Sequence, residues 1–563
     1  MADNVKKWLD IIEVSQKQAY IFGSNKLQDN VINSMRIAYV TRDEKSDEPK
    51  EYIRNNFFTS VVKEYVEENH LSKTVYNEDK NFIFSGGGHT ILQFEKKEDA
   101  ILFNQIITEK IRKVIPDIEL FVAIVPYDNH LTPTKNLQRL TKKLEEKKAM
   151  RTSSFFQRSF GIEKVDVNSL KPEPEKMIDN NMESNVRNME SNVRNRINFL
   201  DRKLIPDGYQ AVSSFNELGI SRDEKSFIAV VHIDGNGMGS RVNAYYEKLE
   251  KENTDWTEFC KQIRAFSESI DDDYQKAFTE LNIKIAHKIE DGTLDELDLG
   301  TDKKQFPLRR VVASGDDICF VCDGRIGIEA AAMFLEELSK IKNLHDDKNY
   351  TACAGVAIVH VKYPFFSAYD LAEKLCSRAK KYTASLSSDD NGASISAIDW
   401  SLNSGEIKDK LSEIDKDYMS KDHISLTMRP YIVFSAEKSI ENYPRTYARF
   451  RKLYDLLTSN EQGLMDLRSL LKEMRFILKK NESEARYYVQ FHKLDSILIE
   501  SHDIFETKKQ TNIDTDVSDL LYISDQDLNG NEDSSKRCAV LFDAAEIMDT
   551  YIRLNQGGED NGD

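Results

Sequence analysis

Residues 311–322 read Val-Val-Ala-Ser-Gly-Asp-Asp-Ile-Cys-Phe-Val-Cys. Two mostly apolar runs, 311–314 and 318–322, flank the tripeptide of Gly315, Asp316 and Asp317. Because glycine and aspartate are natural turn formers, the pattern predicts a β-hairpin with two carboxylates at its tip. Taken alone, the tripeptide is explained well by a plain turn between two strands.

A longer apolar run precedes the hairpin and ends in a third carboxylate, that of Asp234. Residues 227–234 are Phe-Ile-Ala-Val-Val-His-Ile-Asp, which predicts a buried strand. A helical region from 238 to 289 follows this strand. After the hairpin the patterns predict a helix, a strand and a helix, at 327–341, 351–361 and 368–383. The order is β-α-β-β-α-β, the ferredoxin-like arrangement, in which the first strand and the hairpin are neighbours.

Asp234, Asp316 and Asp317 are therefore expected at one edge of one sheet. Carboxylates gathered in this way raise one another's pKa unless a cation lies among them. Their hard oxygen atoms suit Mg²⁺ or Mn²⁺, and two such ions would clamp the attacking and leaving oxygens of a phosphoryl displacement. We predict that the three aspartates are the metal ligands and catalytic groups of a metal-dependent nucleotidyltransferase.

The strand runs directly into Asp234-Gly-Asn-Gly-Met-Gly239, which opens a predicted helix. Backbone N–H groups at a helix start can hold a phosphate. Gly235, Asn236 and Gly239 are therefore candidate nucleotide-binding residues, although glycine-rich helix starts are also common for structural reasons alone.

The same order of elements occurs a first time near the N-terminus. Strands are predicted at 8–14, 81–85, 90–94 and 118–125, and helices at 25–40, 57–68, 98–114 and 137–150. Glu13 precedes Asp234 by 221 residues and Ser85 precedes Ser314 by 229 residues. Loop insertions account for the difference, so we predict an internal repeat of a whole domain.

The predicted fold class is α+β, with two ferredoxin-like palm domains at 1–150 and 221–400. A linker region at 151–220 joins them and contains a perfect duplication, Met182–Asn188 and again Met189–Asn195. Met182, Val186, Met189 and Val193 would share one face of a helix. The alternative is a slipped duplication in a tolerant linker, because the segment holds several asparagines of low helix propensity.

The region 401–563 is predicted to be a helical C-terminal domain with an acidic tail. Its amphipathic patterns lie at 447–459, 461–480 and 482–500. It carries a set of basic side chains: Arg445, Arg449, Arg451, Lys452, Arg468, Lys472, Arg475, Lys479 and Lys480. They form either a face for RNA or a partner subunit, or a solvated helical surface.

Composition limits the class of protein. Of the 563 residues 40% are hydrophobic and 31% are charged, which excludes a membrane protein and a wholly disordered chain. The longest apolar run, 227–233, is far shorter than a membrane span, and the N-terminus has no signal-peptide pattern. We therefore expect a soluble cytoplasmic protein. Its net charge of −18 argues against a general nucleic-acid coat.

Taken together, these motifs resemble the large, polymerase-like subunit of type III CRISPR effector complexes, a relative of the GGDEF nucleotide cyclases. Residues 307–325 are similar to its second-palm hairpin, and residues 355–364 and 371–380 to the strand and helix that follow. Residues 12–27 resemble the opening of its first palm. The resemblance covers most of 8–400, and the C-terminal region is similar only in character.

The resemblance implies that two ATP molecules bind between the palms. A 3′-hydroxyl of one attacks the α-phosphate of the other, pyrophosphate leaves, and cyclic oligoadenylate accumulates as an alarm signal in antiviral defence. It also implies that Lys380 meets the nucleotide phosphates and that Ser314 and Gly315 belong to the nucleotide-binding motif.

The first palm is expected to bind without catalysing. The positions matching Asp316 and Asp317 are taken to be Gly87 and Gly88, which leaves Glu13 as the acidic candidate. Gly86, Gly87 and Gly88 would let a base or a phosphate approach the backbone closely. Lys147 or Lys148 would take the place of Lys380 there.

The sequence departs from the family at several points. The family's GGDD motif reads Ser314-Gly-Asp-Asp here, and Asn236 stands where many relatives carry a second aspartate. The HD nuclease domain that normally precedes the first palm is expected to be missing. Two alternatives stay open: a catalytically silent double-palm scaffold in an RNA-guided CRISPR-type assembly, and a mononucleotide or dinucleotide cyclase.

Overall fold

A computed structural model of the protein describes residues 7–41, 57–69, 75–150, 180–218, 226–300, 304–386, 394–403, 405, 410–437, 443–458, 465–505, 520–524 and 537–554. The predicted acidic tail at 555–563 and most of the first half of the linker region lie outside these ranges.

The first sheet is built from the N-terminal part of the chain. It contains four strands, β1 Trp8–Val14, β2 Phe82–Gly86, β3 His89–Phe94 and β4 Leu120–Pro126. They lie in the order β2-β3-β1-β4 and every pair is antiparallel. This is the ferredoxin-like order, so the prediction for the first palm is confirmed.

The second sheet repeats this order and extends it. It contains β5 Phe227–Gly235, β6 Leu308–Ser314, β7 Asp317–Asp323, β8 Ala352–His360, β9 Ile395–Asn403 and β10 Tyr431–Ser435. The order is β10-β9-β8-β5-β7-β6, in which β6-β7-β5-β8 corresponds to β2-β3-β1-β4 of the first sheet. The internal repeat and the α+β class are therefore confirmed.

The helices cover the sheets and form the C-terminal part. In the first palm and the linker they are α1 Lys17–Phe22, α2 Leu27–Val40, α3 Phe57–Glu68, α4 Glu78–Asn81, α5 Lys97–Val114, α6 Pro133–Ala149 and α7 Asn180–Leu204. In the second palm they are α8 Met238–Lys251, α9 Trp256–Glu290, α10 Gly327–Lys340 and α11 Phe365–Leu386. Beyond it lie α12 Leu411–Asp417, α13 Tyr447–Thr458, α14 Met465–Leu478, α15 Glu482–His492, α16 Asp495–Phe505 and α17 Phe542–Ile547, with a small ladder of β11 Tyr522–Ser524 and β12 Arg537–Ala539. None of the described helices has the length and apolar character needed to cross a bilayer.

Helix α11 lies directly on strand β8, and this contact fixes the part of the palm that carries Lys380. A Cβ added to Gly355 of β8 would lie 2.0 Å from the Ala372 carbonyl oxygen and 2.4 Å from the Cys376 nitrogen of α11. Only glycine allows the two backbones to approach so closely. The glycine thereby sets the height of α11 above the sheet.

The predicted boundary of the second palm at residue 400 falls inside β9. Residues 353–359 of β8 pair in parallel with residues 397–403 of β9, and β10 then adds to β9. Trp400 in β9 is fully buried and stacks on Tyr431 of β10, with ring centroids 5.4 Å apart. The sequence analysis missed both strands because it gave the region after 400 a helical character throughout. The second sheet therefore continues to residue 435.

Helix α7 decides between the two interpretations of the duplicated segment. The duplication lies within a helix of 25 residues, and Met189 and Val193 are 3% and 2% exposed. The helix packs on α2 and α5 of the first palm and on α9 of the second palm. The prediction of a pairing helix is confirmed, and its apolar face is buried between the palms.

The long helix α9 protects an edge of the first sheet. The Arg264 guanidinium donates to the carbonyl oxygens of Phe82 (2.7 Å) and Ile83 (2.9 Å) in edge strand β2, and it lies 4.6 Å from the Phe82 ring centroid. An edge strand otherwise presents free carbonyl groups. This contact covers the edge and joins the two palms.

Most of the predicted basic set in the C-terminal region is used inside the chain. Arg451 is buried and pairs with Glu329 of α10 at 2.9 Å. The other contacts run from Arg445 to Cys538, Arg449 to Ile504, Arg468 and Lys472 to Asp549, Arg475 to Glu546, and Lys480 to Glu484. Arg451 is therefore structural, whereas Arg468 and Lys480 keep about half of their side-chain surface exposed. The choice between a face for RNA or a partner subunit and a solvated helical surface stays a prediction.

Candidate active site

The sheet register brings the three predicted aspartates to one edge. Asp234, near the end of β5, stands directly opposite Asp317, the first residue of β7. Asp316 occupies the turn just before β7, and a Cβ added to Gly235 would lie 3.0 Å from the Asp316 Cβ. The strand and the hairpin tip therefore meet as the ferredoxin-like order requires.

Lys380 of α11 joins this acidic edge. Its ammonium group lies 2.6 Å from the Asp234 carboxylate and donates to the Gly235 carbonyl oxygen at 2.7 Å. The predicted phosphate-binding lysine thus supplies positive charge beside the strand carboxylate. The close packing of α11 on Gly355 holds the helix, and with it the lysine, at this distance.

The carboxyl groups at the hairpin tip hold their protons more tightly than ordinary aspartates. Burial, followed by repulsion from Asp234, raises the pKa of Asp316 to about 6 and that of Asp317 to about 7. The Asp317 side chain still has 42% of its surface exposed. It therefore lies on the floor of an open cleft, surrounded by enough protein to lose much of its hydration.

Two further titratable groups belong to this cluster and were missed by the sequence analysis. His232 Nδ1 lies 3.5 Å from Asp317 Oδ1, and burial lowers the pKa of this histidine, which favours the neutral ring. Glu373 of α11 adds to the repulsion that raises the pKa of Asp317. A signal for His232 was available, because residues two apart on a strand share a face and it stands two before Asp234. Glu373 lies one helical turn after Tyr369, and no sequence motif singled it out.

The acidic edge offers oxygen donors of the kind that bind divalent cations. Among the described residues no three His, Cys, Asp or Glu side chains converge closely enough to hold a metal ion. However, Asp317 Oδ1 is buried without a hydrogen-bond partner, and the raised pKa values of Asp316 and Asp317 show negative charge that their surroundings do not neutralise. Three carboxylates of this kind are ligands that suit a hard cation such as Mg²⁺ or Mn²⁺. The carboxylates suit such an ion by their chemistry, whereas in their present arrangement the ammonium group of Lys380 is the cation beside Asp234.

The glycine-rich segment after β5 divides into structural and open positions. A Cβ on Gly235 would clash with the Tyr274 hydroxyl at 2.6 Å, whereas one on Gly239 would meet nothing within 4 Å. Gly237, at the start of α8, has a φ of 62°, which favours glycine. The Asn236 amide is buried and donates to the Ile395 carbonyl oxygen of β9 at 2.7 Å. An aspartate has no donor for this bond, which gives a structural reason for asparagine there.

The hairpin tip itself leaves room for a ligand. Gly315 has a φ of 62°, and a Cβ on it would meet nothing within 4 Å. The backbone of Ser314 pairs with Asp317 and closes the hairpin. The structure therefore places Gly315 beside open space, and it places Ser314 at the end of β6.

The first palm contains a corresponding edge with different side chains. Its β1 and β3 pair Glu13 with His89, in the same register that pairs Asp234 with Asp317. Burial lowers the pKa of His89 to about 4, so its ring is neutral near pH 7. Where the second palm has two opposed carboxylates, the first palm has one carboxylate and a neutral imidazole.

This register corrects the predicted equivalence of the two hairpin tips. Gly87 and Gly88, with φ of 59° and 76°, form the two-residue turn that Gly315 and Asp316 form in the second palm. Gly88 is therefore the counterpart of Asp316, and His89 is the counterpart of Asp317. The prediction matched Asp316 and Asp317 to Gly87 and Gly88, each one residue too early. A run of glycines has no side chain that marks the register.

The first palm also has a counterpart of the lysine. Lys148 lies 3.0 Å from the Glu13 carboxylate, which repeats the contact of Lys380 in the second palm. Lys147 instead donates to the Val122 carbonyl oxygen at 2.8 Å. Of the two lysines predicted for this place, Lys148 is the one that the structure puts there.

A cleft of about 720 Å³ connects the two palms at these edges. The first palm contributes residues of α1, α2 and its hairpin, including Lys17, Gly87 and Gly88. The second palm contributes Asp316, Asp317 and the face of α11 that carries Glu373, and α7 adds a further wall. Gly86, Asp234, Gly235, Asn236, Gly239, Ser314 and Lys380 are not part of this lining.

The palms touch directly beside the cleft. The Phe22 ring of α1 stacks on the Tyr369 ring of α11 with centroids 3.7 Å apart, and Gln18 donates to Glu373 at 3.1 Å. The Phe365 amide donates to Asn25 at 3.0 Å. These contacts fix α11 against the first palm, so both palms shape the space in front of the acidic edge. Fold and site together define a double-palm protein in which the second palm carries the carboxylates.

Comparison with known proteins identifies the second palm. Residues 227–386 match the sequence profile of the second palm domain of Cas10/Cmr2. This part of the chain is therefore similar to a Cas10/Cmr2 second palm domain. No curated protein sequence matches it.

The overall fold is similar to that of a solved Csm1-Csm4 structure at low sequence identity. A Csm1-Csm4 cassette in complex with pppApApA superposes with a TM-score of 0.51 at 13% identity, covering 98% of this chain and 70% of that chain. The same cassette with cA4 gives a TM-score of 0.47 at 14% identity and covers 87% and 65%. With AMPPNP it gives 0.48 at 13% identity and covers 89% and 65%. The chain therefore spans less than two thirds of the length of the chains bound to cA4 and AMPPNP.

Proposed function

We propose that the protein is a metal-dependent nucleotidyltransferase that joins ATP molecules into a cyclic oligoadenylate. The observation that carries this proposal is the meeting of Asp234 with two hairpin carboxylates, Asp316 and Asp317, which line a cleft between the two palms. The raised pKa values of Asp316 and Asp317 support it, since strongly perturbed carboxyl groups in a cleft are typical of functional sites.

The proposed roles follow from position and charge. Asp234, Asp316 and Asp317 would hold two Mg²⁺ or Mn²⁺ ions, which would stabilise charge on the reacting phosphate oxygens when bound. Lys380, beside Asp234, would neutralise a nucleotide phosphate. In the reaction a 3′-oxygen forms a bond to an α-phosphorus, the bond to the β-phosphate breaks, and pyrophosphate leaves.

The first palm would bind the second nucleotide without catalysing. Its turn of Gly87 and Gly88 lines the cleft and has no side chains that would keep a ligand from the backbone. With Glu13 facing the neutral His89, this palm lacks the set of carboxylates that a metal pair needs.

The ligands and the partner subunit of the similar structures suggest a substrate and a partner for this chain. These structures are Csm1-Csm4 cassettes with pppApApA, cA4 and AMPPNP. We propose by analogy that this chain takes ATP and works with partner subunits of a type III CRISPR effector in antiviral defence. The alternative of a catalytically silent scaffold in such an assembly predicts co-purified partner subunits with guide RNA and no effect of the aspartate substitutions.

Pyrophosphate release tests the catalytic proposal. Purified full-length chain is incubated with Mg²⁺ or Mn²⁺ and each of the four nucleotides, with and without RNA. Asp316→Asn and Asp317→Asn should each lower the rate at least a hundredfold, because each removes a charge on which the metal pair depends.

Asp347→Asn is the matched control. This aspartate lies in the same palm with 85% of its side chain exposed, and its φ of 60° is one that asparagine also adopts. It should react like the wild type. An active Asp317→Asn variant would contradict the proposal, as would a wild type that releases no pyrophosphate under any of these conditions.

A further inference from the structure

One large aromatic side chain of the second palm lies open to the cleft. Phe366, near the start of α11, is 48% exposed and lines the cleft between the palms. Its neighbour Phe365 is 1% exposed and packs on Phe215 and Phe22, with ring centroids 4.6 Å and 5.9 Å away. The helix is therefore anchored at this point by one ring, which holds the next ring toward the open space.

The ring lies on the face of α11 that also leads toward the acidic edge. Phe366, Tyr369, Asp370 and Glu373 all line the cleft, and their spacing places them on one face of α11. Seven residues of α-helix rise by about 10 Å. Glu373 lies close enough to Asp317 to influence its protonation. The Phe366 ring thus lines the same cleft as Asp316 and Asp317, two helical turns before Glu373.

The other walls of the cleft combine aliphatic side chains with the charged Arg196, Asp201 and Arg310. Val31 and Met35 of α2, Val311 and Val312 of β6, and Ile197 of α7 line the same space. An exposed aromatic ring on the wall of this cleft offers a flat apolar surface. Every nucleobase has a π-face that stacks on such a ring, and purines present the larger face.

We propose that Phe366 is the stacking platform for the nucleobase of a nucleotide whose phosphates reach the acidic edge. The inference rests on the proposed function, and it adds a positioning residue for the substrate. Phe366 touches the base and not the reacting atoms, so it governs nucleotide affinity. Stacking alone does not read hydrogen-bonding edges, so the platform favours a purine over a pyrimidine without separating adenine from guanine.

Equilibrium dialysis with labelled ATP and Mg²⁺ tests the proposal on the full chain. Phe366→Ala should weaken ATP binding about tenfold, because one base loses its stacking partner. Phe366→Tyr should keep wild-type affinity, since it retains the ring. Phe476→Ala should bind like the wild type, because Phe476, 63% exposed, lies on α14 and not in the lining of the cleft.

Inorganic tripolyphosphate separates base stacking from a general disturbance of the site. It carries the phosphates without a base. Its affinity, measured by competition with labelled ATP, should therefore be the same for the wild type and for Phe366→Ala. In steady state Phe366→Ala should raise KM for ATP and leave kcat near the wild-type value.

Three results would overturn the inference. Equal ATP affinity of Phe366→Ala and the wild type would show that the ring contacts no base and serves another purpose, such as a protein partner. An equal loss of tripolyphosphate affinity would show a structural effect. A wild type that binds no nucleotide would overturn the inference and the proposed function together, whereas the first two results leave the proposed function standing.

Discussion

At the scale of single residues, surroundings set the behaviour of equivalent carboxyl groups. Asp316 and Asp317 hold protons up to about pH 6 and 7, because burial and the neighbouring Asp234 disfavour their charged forms. The sequence was enough to predict that these three residues meet, since a strand end and a hairpin tip are neighbours in the ferredoxin-like order. His232 was missed although its place two residues before Asp234 was a signal, and Glu373 was missed because its effect depends on how α11 packs on the sheet.

A second buried carboxyl group provides a test of this electrostatic account away from the cleft. Asp10 of β1 is fully buried and accepts a hydrogen bond from Asn104 at 2.9 Å, and burial raises its pKa from 3.8 to about 7. The unfolded chain loses this proton at lower pH than the folded chain. The contribution of Asp10 to stability therefore falls as the pH rises from about 4 to 7 and stays low above that range.

Asp10→Asn should accordingly stabilise the protein at pH 8 by on the order of 2–4 kcal/mol and have little effect near pH 4. Urea unfolding of both proteins at the two pH values measures the difference. Asp347→Asn, at an exposed position, should change stability little at either pH. A gain for Asp10→Asn at pH 4 that equals the gain at pH 8 would contradict the assigned cause.

At the scale of elements, the sequence predicted most strands and helices of the two palms, because their apolar patterns are long and their turns contain glycine. It missed β9 and β10, and it shifted the first-palm turn by one residue. Both errors concern register and partners, which arise from contacts between distant segments. Local periodicity does not predict that β9 pairs with β8 or that Glu13 pairs with His89.

The contact of α9 with the edge of the first sheet yields a prediction at this scale. Arg264→Ala removes two hydrogen bonds to the β2 carbonyl groups and the stacking on Phe82. It should cost about 1–3 kcal/mol of stability. Hydrogen exchange at residues 82–86 should also become faster, because the strand loses its cover.

Arg264→Lys is the conservative variant, since an ammonium group can still donate to one of the two carbonyl oxygens. It should lie between the wild type and Arg264→Ala in both measurements. Unchanged exchange in β2 of the alanine variant, with a loss of stability elsewhere, would show that α9 does not protect this edge.

At the scale of the whole molecule, two copies of one fold face each other and have diverged at a few positions. Each copy keeps a lysine beside a strand carboxylate, Lys148 with Glu13 and Lys380 with Asp234. In the second copy a further carboxylate, that of Asp317, lies opposite Asp234, whereas in the first copy His89 lies opposite Glu13. The repeat was predictable from the sequence, but the way the copies meet, through α1, α11 and α7, was not, since it depends on buried contacts between distant segments.

The central claim is that this difference makes the second palm the catalytic one. Mass spectrometry of the products formed from ATP tests it most directly, using purified wild type and Asp317→Asn with Mn²⁺, with and without RNA. The account predicts adenylate oligomers from the wild type and none above background from Asp317→Asn. Oligomers in equal amount from both proteins, or from neither, would contradict it.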